Sequence, residues 1–129
     1  MLFLLDTTVL IDHLRGAPAA QRVAELLDRG DVAATTAINV EEIARGLRRA
    51  EGDAARRLID GLVVISLGRN EGWLAGTWRR DYAAKGRSLS QADCLVAAAA
   101  ATTRGMLVTG NPKDFPMKEV TVEHWPVGS

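Results

Sequence analysis

Residues 2–8, Leu2-Phe3-Leu4-Leu5-Asp6-Thr7-Thr8, carry the strongest structural signal in the chain. Four consecutive apolar residues stop at an acid, and a polar threonine pair then opens an amphipathic stretch. A short apolar run followed by helical periodicity predicts a strand buried on both faces that feeds a helix. In open parallel α/β sheets, ligands bind just beyond the carboxyl ends of the strands. Asp6 therefore stands where such a fold does its chemistry, although Asp is also a favoured helix N-cap.

Outward from this stretch, strands and helices alternate. A helix over 8–15 is stopped by Gly16 with Pro18 beyond it, and a second over 19–28 ends at Gly30. A short strand over 31–35 leads to Thr36, an N-cap for a helix reaching about residue 50 with Val40, Ile43, Ala44 and Leu47 as its buried stripe. A helix over 53–61 and a β-branched strand over 62–67 follow. The helix over 71–85 carries Trp78 and Tyr82 at i, i+4 on a stripe with Leu74, which predicts core packing for the tryptophans Trp73 and Trp78. An alanine-rich helix over 90–104 is closed by Gly105, and a strand over 106–109, a turn over 111–115 and a last strand over 119–122 complete the chain. This order predicts an α/β fold, with a mainly parallel, roughly five-stranded sheet covered by helices on both faces. Without repeats, low-complexity tracts or linkers, residues 1–129 read as a single domain.

The composition, 47% hydrophobic and 25% charged, is that of an ordinary soluble globular domain. Sixteen basic and sixteen acidic residues cancel, which excludes a protein that holds nucleic acid by bulk charge. An RNA partner needs a local patch or bound cations. The single Cys94 excludes an intramolecular disulfide, and its neighbours Leu95 and Val96 predict a buried, inert thiol. No basic segment precedes the first apolar run, which is too short for a signal peptide or a membrane span, so a cytoplasmic protein is expected.

Four acids fall at strand ends or at the helix starts that follow them: Asp6, Glu42, Asp93 and Asp114, with Asn111 just before the last. Each has a local explanation. Asp6 is placed to cap a helix, Ser90-Gln91-Ala92-Asp93 has the spacing of a capping box, and Asn111-Pro112-Lys113-Asp114 reads as cap, first-turn proline and first-turn acid. The residues alone do not decide between Glu41 and Glu42. If the acids converge, mutual repulsion raises their pKa values unless a cation intervenes. Oxygen donors at that density select Mg²⁺ or Mn²⁺ over zinc, and His13 and His124 lack metal-ligand spacing. A divalent ion so held activates water against a phosphodiester, the chemistry of a metal-dependent nuclease.

These residues also resemble a known family. Leu4-Leu5-Asp6-Thr7-Thr8-Val9-Leu10-Ile11-Asp12 with Leu14-Arg15-Gly16 resembles the opening of PIN-domain proteins of the VapC toxin type. Glu42-Ile43-Ala44-Arg45-Gly46 resembles their acidic helix motif and selects Glu42 over Glu41. Asp93-Cys94-Leu95-Val96-Ala97-Ala98-Ala99 resembles the third acid motif, and Leu107-Val108-Thr109-Gly110-Asn111-Pro112-Lys113-Asp114-Phe115 the fourth, with Gly110 where many relatives carry Arg. Val122-Glu123-His124-Trp125 is similar to the terminal strand. The resemblance implies a PIN-like three-layer αβα sandwich and the toxin of a type II toxin–antitoxin pair, a Mg²⁺- or Mn²⁺-dependent endoribonuclease. Asp6, Glu42, Asp93 and Asp114 would be its catalytic and metal-holding residues, with Asn111 assisting and Thr7 and Thr109 contacting those acids or the phosphate. It further implies a VapB-type antitoxin that covers the site, an RNA substrate and a homodimer.

Other features are weaker. Arg15, Arg45, Arg48 and Arg49 read as a solvated face that a local RNA patch would share, and His13 reads as exposed. The apolar residues Leu10, Leu14, Val23 and Leu27 of the first helices exceed what the core needs, which fits an antitoxin groove. Two other classes compete. One is a catalytically silent PIN-fold binding protein. The other is a phosphoryl-aspartate module, against which stand Thr8, where a phosphatase has its second Asp, and the lack of paired acids at the first strand end.

Overall fold

A computed structural model describes residues 1–16 and 18–128; Ala17 and Ser129, part of the expected 1–129 unit, lie outside the described residues. The elements run β1 (Leu2–Leu5), α1 (Thr7–Leu14), α2 (Pro18–Asp28), β2 (Val32–Thr36), α3 (Ala37–Arg45), α4 (Gly52–Asp60), β3 (Val63–Ile65), α5 (Arg69–Ala84), α6 (Gln91–Thr103), β4 (Met106–Thr109), a 3-10 turn (Pro112–Asp114) and β5 (Thr121–His124). The five strands form one sheet in the order β3-β2-β1-β4-β5, and every adjacent pair is parallel. The α/β fold expected from the alternation is the observed one.

Side chains of a strand alternate between faces, and here each face has its own core. Leu4 and Leu107 pack with Ala75, Trp78, Leu89 and α6 on one side. Phe3, Leu5 and Val108 pack with Val9, Leu10, Val23, Leu26 and Ile43 on the other. The result is three layers, α5 and α6 over one face and α1 to α4 over the other. Ala97, Ala98, Ala99 and Ala100 are fully buried. Their small side chains bring the α6 backbone close to its neighbours, and α5 lies along it as the other half of that layer. Cys94, in the same helix, is buried as expected.

Several boundaries differ from the sequence expectation, each for a local reason. The helix begun at Thr36 ends at Arg45, with Gly46 as its C-cap, instead of running to residue 50. Leu47, beyond that end, is exposed rather than buried, and so is Ala44 within the last turn of the helix. The 62–67 strand is only Val63–Ile65, because it is an edge strand paired on one side. The last strand is Thr121–His124, since a turn from Met117 to Val120 delays it past residue 119. In α6 the left-handed residue is Arg104, with φ of 55°, not Gly105. Gly105 eases a close approach instead: a Cβ there would lie 2.7 Å from the Leu2 side chain and 3.0 Å from the Leu2 carbonyl oxygen, so Leu2 would have to shift.

Trp78 is buried and its indole N–H donates to Glu119, while the Tyr82 hydroxyl donates to the Pro116 carbonyl at 3.0 Å. Trp73, expected in the core, is 80% exposed. It lies one residue off the Leu74–Trp78 stripe, which turns it about 100° away from the packed face. The expected excess of apolar surface on the first helices is also absent, because Leu10 and Val23 are buried and only Leu27 is exposed, at 52%. His13 is half-buried, and burial pushes its imidazole pKa down. Among the described residues no helix is long and apolar enough to cross a membrane.

Leu4, without exposed surface between β1's neighbours, and Leu27, on the outer face of α2, make a direct comparison. Leu4→Ala is expected to cost about 2–5 kcal/mol of unfolding free energy through the cavity it leaves. Leu27→Ala is expected to cost within about 0.5 kcal/mol. Urea unfolding of both variants checks the assignment of the core.

Candidate active site

The sheet order places the site. β1 is flanked by β2 on one side and β4 on the other, so the winding of the chain reverses at β1. The crevice outside the carboxyl ends of β1 and β4 is the topological switch point at which open α/β sheets bind ligands. Asp6 directly follows β1 and Thr109 ends β4.

Asp6 is docked there by both its backbone and its side chain. Its N–H donates to the Val108 carbonyl at 2.9 Å. Its carboxylate, 8% exposed, accepts from the Thr109 hydroxyl at 2.8 Å through Oδ2 and from the Asn39 carboxamide at 3.3 Å through Oδ1. Asp6 occupies the N-cap position of α1, yet its side chain makes no capping bond. The cap explanation accounts for its position in the chain and not for its carboxylate.

Glu42 lies in the second turn of α3, and its Oε1 accepts from the Thr7 hydroxyl at 2.6 Å, whereas Glu41 is exposed. Thr7 in turn accepts from Asn39 at 3.0 Å. Asp93 is in the first turn of α6, where its N–H donates to the Ser90 hydroxyl oxygen at 3.0 Å. Asp114 closes the 3-10 turn after β4, its N–H donating to the Asn111 carbonyl at 3.0 Å. Asn111 donates its own N–H to the Thr109 hydroxyl oxygen at 3.0 Å, but its side chain is exposed and makes no capping bond.

The electrostatics follow from this crowding. Burial raises the Asp6 pKa; hydrogen bonds from Thr109 and the Thr7 backbone moderate the rise, and the charges of Asp93 and Glu42 add to it. Burial likewise raises the Asp93 pKa, a hydrogen bond with Ser90 moderates it, and Asp114 and Glu42 push it further. Asp6, Glu42 and Asp93 thus share one field, and Asp114 joins it through Asp93. Among the described residues none of the four acids is in an ion pair. A field of carboxylate oxygens without a cationic side chain suits a hard divalent cation. As they stand, however, no three acids, histidines or cysteines among the described residues are gathered tightly enough to hold a metal ion by themselves.

Asn39 is the residue that sequence reasoning missed. It is fully buried, at 0% exposure, beside an otherwise apolar stripe. The available signal was its spacing from Thr36, since the two side chains and backbones form the reciprocal bonds of a capping box with Asn in the place usual for Glu or Gln. Thr8 has a local role as well, because its hydroxyl oxygen accepts from the Gly110 N–H at 2.9 Å.

Comparison with known proteins gives the family and the fold. The sequence model of the PIN domain matches residues 3–120. The chain belongs to the PIN-domain family. Over 115 residues, 88% of this chain and 92% of the relative, it is 33% identical to Ribonuclease VapC19 of Mycobacterium tuberculosis, so this PIN domain is of the VapC type. The fold is also that of the crystal structure of VapBC2 from Rickettsia felis bound to a DNA fragment from their promoter, with a TM-score of 0.82 at 20% identity over 97% of this chain and 99% of that one. VapBC-1 from nontypeable Haemophilus influenzae matches with a TM-score of 0.81 at 24% identity, covering 97% of this chain and 98% of that one.

The raised Asp93 pKa has a thermodynamic consequence for the metal-free PIN domain. An acid whose pKa is higher in the folded than in the unfolded state destabilises the fold above the folded pKa, and the penalty fades as pH falls toward the ordinary Asp value of about 3.9. Asp93→Asn is therefore expected to raise Tm in EDTA at pH 7 by on the order of 2–4 °C, a gain that shrinks as the pH is lowered toward about 4. Thermal unfolding followed by circular dichroism across that range tests it. A change in Tm that is the same at every pH would show that the charge of Asp93 is not its source.

Proposed function

We propose that this PIN domain is the toxin of a type II toxin–antitoxin pair and acts as a divalent-metal-dependent endoribonuclease. The observation that carries the proposal is the electrostatic field that Asp6, Glu42 and Asp93 share beside the β1–β4 switch point, with Asp114 acting on Asp93, in a chain 33% identical to a relative named as a ribonuclease. We take Asp6, Glu42 and Asp93 as the core of the metal-holding set and Asp114 as its fourth member, with Asn111 a lesser candidate. The donor set fits Mg²⁺ or Mn²⁺, because all its donors are oxygens and Mg²⁺ commonly takes only one or two carboxylates and keeps several waters. That habit accommodates acids that share a field without forming a closed cage.

When bound, the cation supplies a water of lowered pKa and neutralises charge on the phosphodiester. The protein's own contribution is placement. Thr109 and Asn39 hold the two oxygens of Asp6, Thr7 holds one oxygen of Glu42, and Ser90 holds the first turn of α6 that carries Asp93. The helix N-terminus beside Asp93 favours its ionised form and opposes the repulsion of its neighbours. Neutral donors orient these acids without consuming the negative charge that attracts the ion. A VapB-type antitoxin is the proposed partner, as the structural neighbours are VapBC complexes; a homodimer, an RNA substrate and a cytoplasmic location complete the proposal.

Cleavage of total RNA by the purified chain tests it. Activity is expected with Mn²⁺ or Mg²⁺ and absent with EDTA. Asp6→Asn and Asp93→Asn are each expected to lower the rate by about 100-fold or more while the far-UV circular dichroism stays that of a folded protein. A folded wild type that neither cleaves RNA nor binds Mn²⁺ would instead identify a silent PIN-fold binding protein.

A further inference from the structure

We propose that Asn39 is a positioning residue for the site: its carboxamide sets the spacing between Asp6, at the end of β1, and Glu42, on α3. The inference rests on the metal-dependent reading above and deepens it. Asn39 uses all four of its side-chain hydrogen-bonding positions. Its Oδ1 accepts from the Thr36 N–H at 3.2 Å and from the Thr36 hydroxyl at 2.8 Å. Its Nδ2 donates to Asp6 Oδ1 at 3.3 Å and to the Thr7 hydroxyl oxygen at 3.0 Å.

The direction of every bond in this chain is determined by chemistry. A backbone N–H can only donate, so the atom facing Thr36 N must be the carboxamide oxygen, and the NH₂ must face the site. Thr7 accepts one of those hydrogens, which leaves its single hydroxyl proton for Glu42 Oε1 at 2.6 Å. One amide thus delivers a donor directly to Asp6 and, through Thr7, a second to Glu42. Asn39 is one helical turn before Glu42, on the same side of α3, so anchoring Asn39 to the Thr36 N–H and to Asp6 sets where that face of the helix stands against β1. The side chain is fully buried, so water does not readily replace it. Truncation leaves Asp6 Oδ1 without its donor and Thr7 free to turn away from Glu42.

The capping role and the positioning role are separable. Thr36→Val removes the hydroxyl side of the capping box but keeps the backbone N–H that orients the carboxamide. Asn39→Ala removes both roles. Mn²⁺ binding to the full chain, measured by isothermal titration calorimetry, and RNA cleavage kinetics then discriminate. Asn39→Ala is expected to weaken Mn²⁺ binding and to lower kcat, each by about 10–100-fold, with KM for RNA unchanged. Thr36→Val is expected to lower Tm but to keep wild-type Mn²⁺ affinity.

Wild-type Mn²⁺ affinity in Asn39→Ala would overturn the proposal, as would an equal loss of affinity in Thr36→Val. Where Asn39→Ala does not fold, Asn39→Leu, which keeps the volume, takes its place; failure of both to fold while Thr36→Val folds would assign Asn39 to the fold alone and overturn the positioning role. Absence of Mn²⁺ binding in the wild type is a different result, which removes the metal reading itself and this inference with it.

Discussion

A carboxylate buried at the switch point, with only neutral groups to hold it, is the constraint on which the rest of this structure turns. Asp6 is covered on nearly every side, and burial alone disfavours its charge. Arg or Lys beside it would relieve that cost but would also cancel the field that draws a cation. The protein uses hydroxyls and an amide instead. Thr109 from the neighbouring strand and Asn39 from the neighbouring helix hold the two oxygens in place. Such donors orient an acid and moderate its pKa without neutralising it.

The surrounding architecture serves that arrangement. Parallel pairing of β1 with β2 and β4 brings the ends of those strands to one edge, where α1 and α3 begin. Asp6 stands at the N-terminus of α1, where the helix dipole favours its charge. The first turn of α6, with Asp93, reaches the same field, and the fully buried alanines farther along that helix allow it to pack closely in its layer. A polar side chain such as Asn39 is an unusual choice for a core, and here it donates to Asp6. No buried side-chain nitrogen or oxygen among the described residues lacks a hydrogen-bond partner, so the polar network is complete without a ligand. What stays unbalanced is charge, and that is the property a divalent cation corrects.

Much of the fold was legible from local pattern. The apolar run at Leu2–Leu5, the Thr36 cap and the Ser90 cap each report on a few neighbouring residues, and each is where it was expected. Errors arose where packing overrides pattern. Leu47 continues an apolar stripe but falls beyond the end of α3, and Ala44, in its last turn, is exposed. Trp73 is apolar and aromatic, yet the helix turns it outward. At Arg104–Gly105 the glycine predicted the helix end but not its use, which is space against Leu2. In the site, Asp6 is conspicuous because a strand ends on it, whereas nothing in the local pattern around Asn39 signals that it reaches Asp6.

Sequence by itself determined the order of strands and helices, the parallel α/β class and the candidate acids, since all of these follow from hydrophobic period, caps and breakers within a few residues. Only the tertiary structure decided that Glu42 is held by Thr7 beside Asp6, that Asp93 joins their field while the Asn111 side chain stays exposed, and that Asn39 ties β1 to α3. The physical reason is that Asp6 and its partners are separated by up to 103 positions in the chain. Whether they meet depends on sheet register and on how closely α3 and α6 pack, which no local pattern encodes.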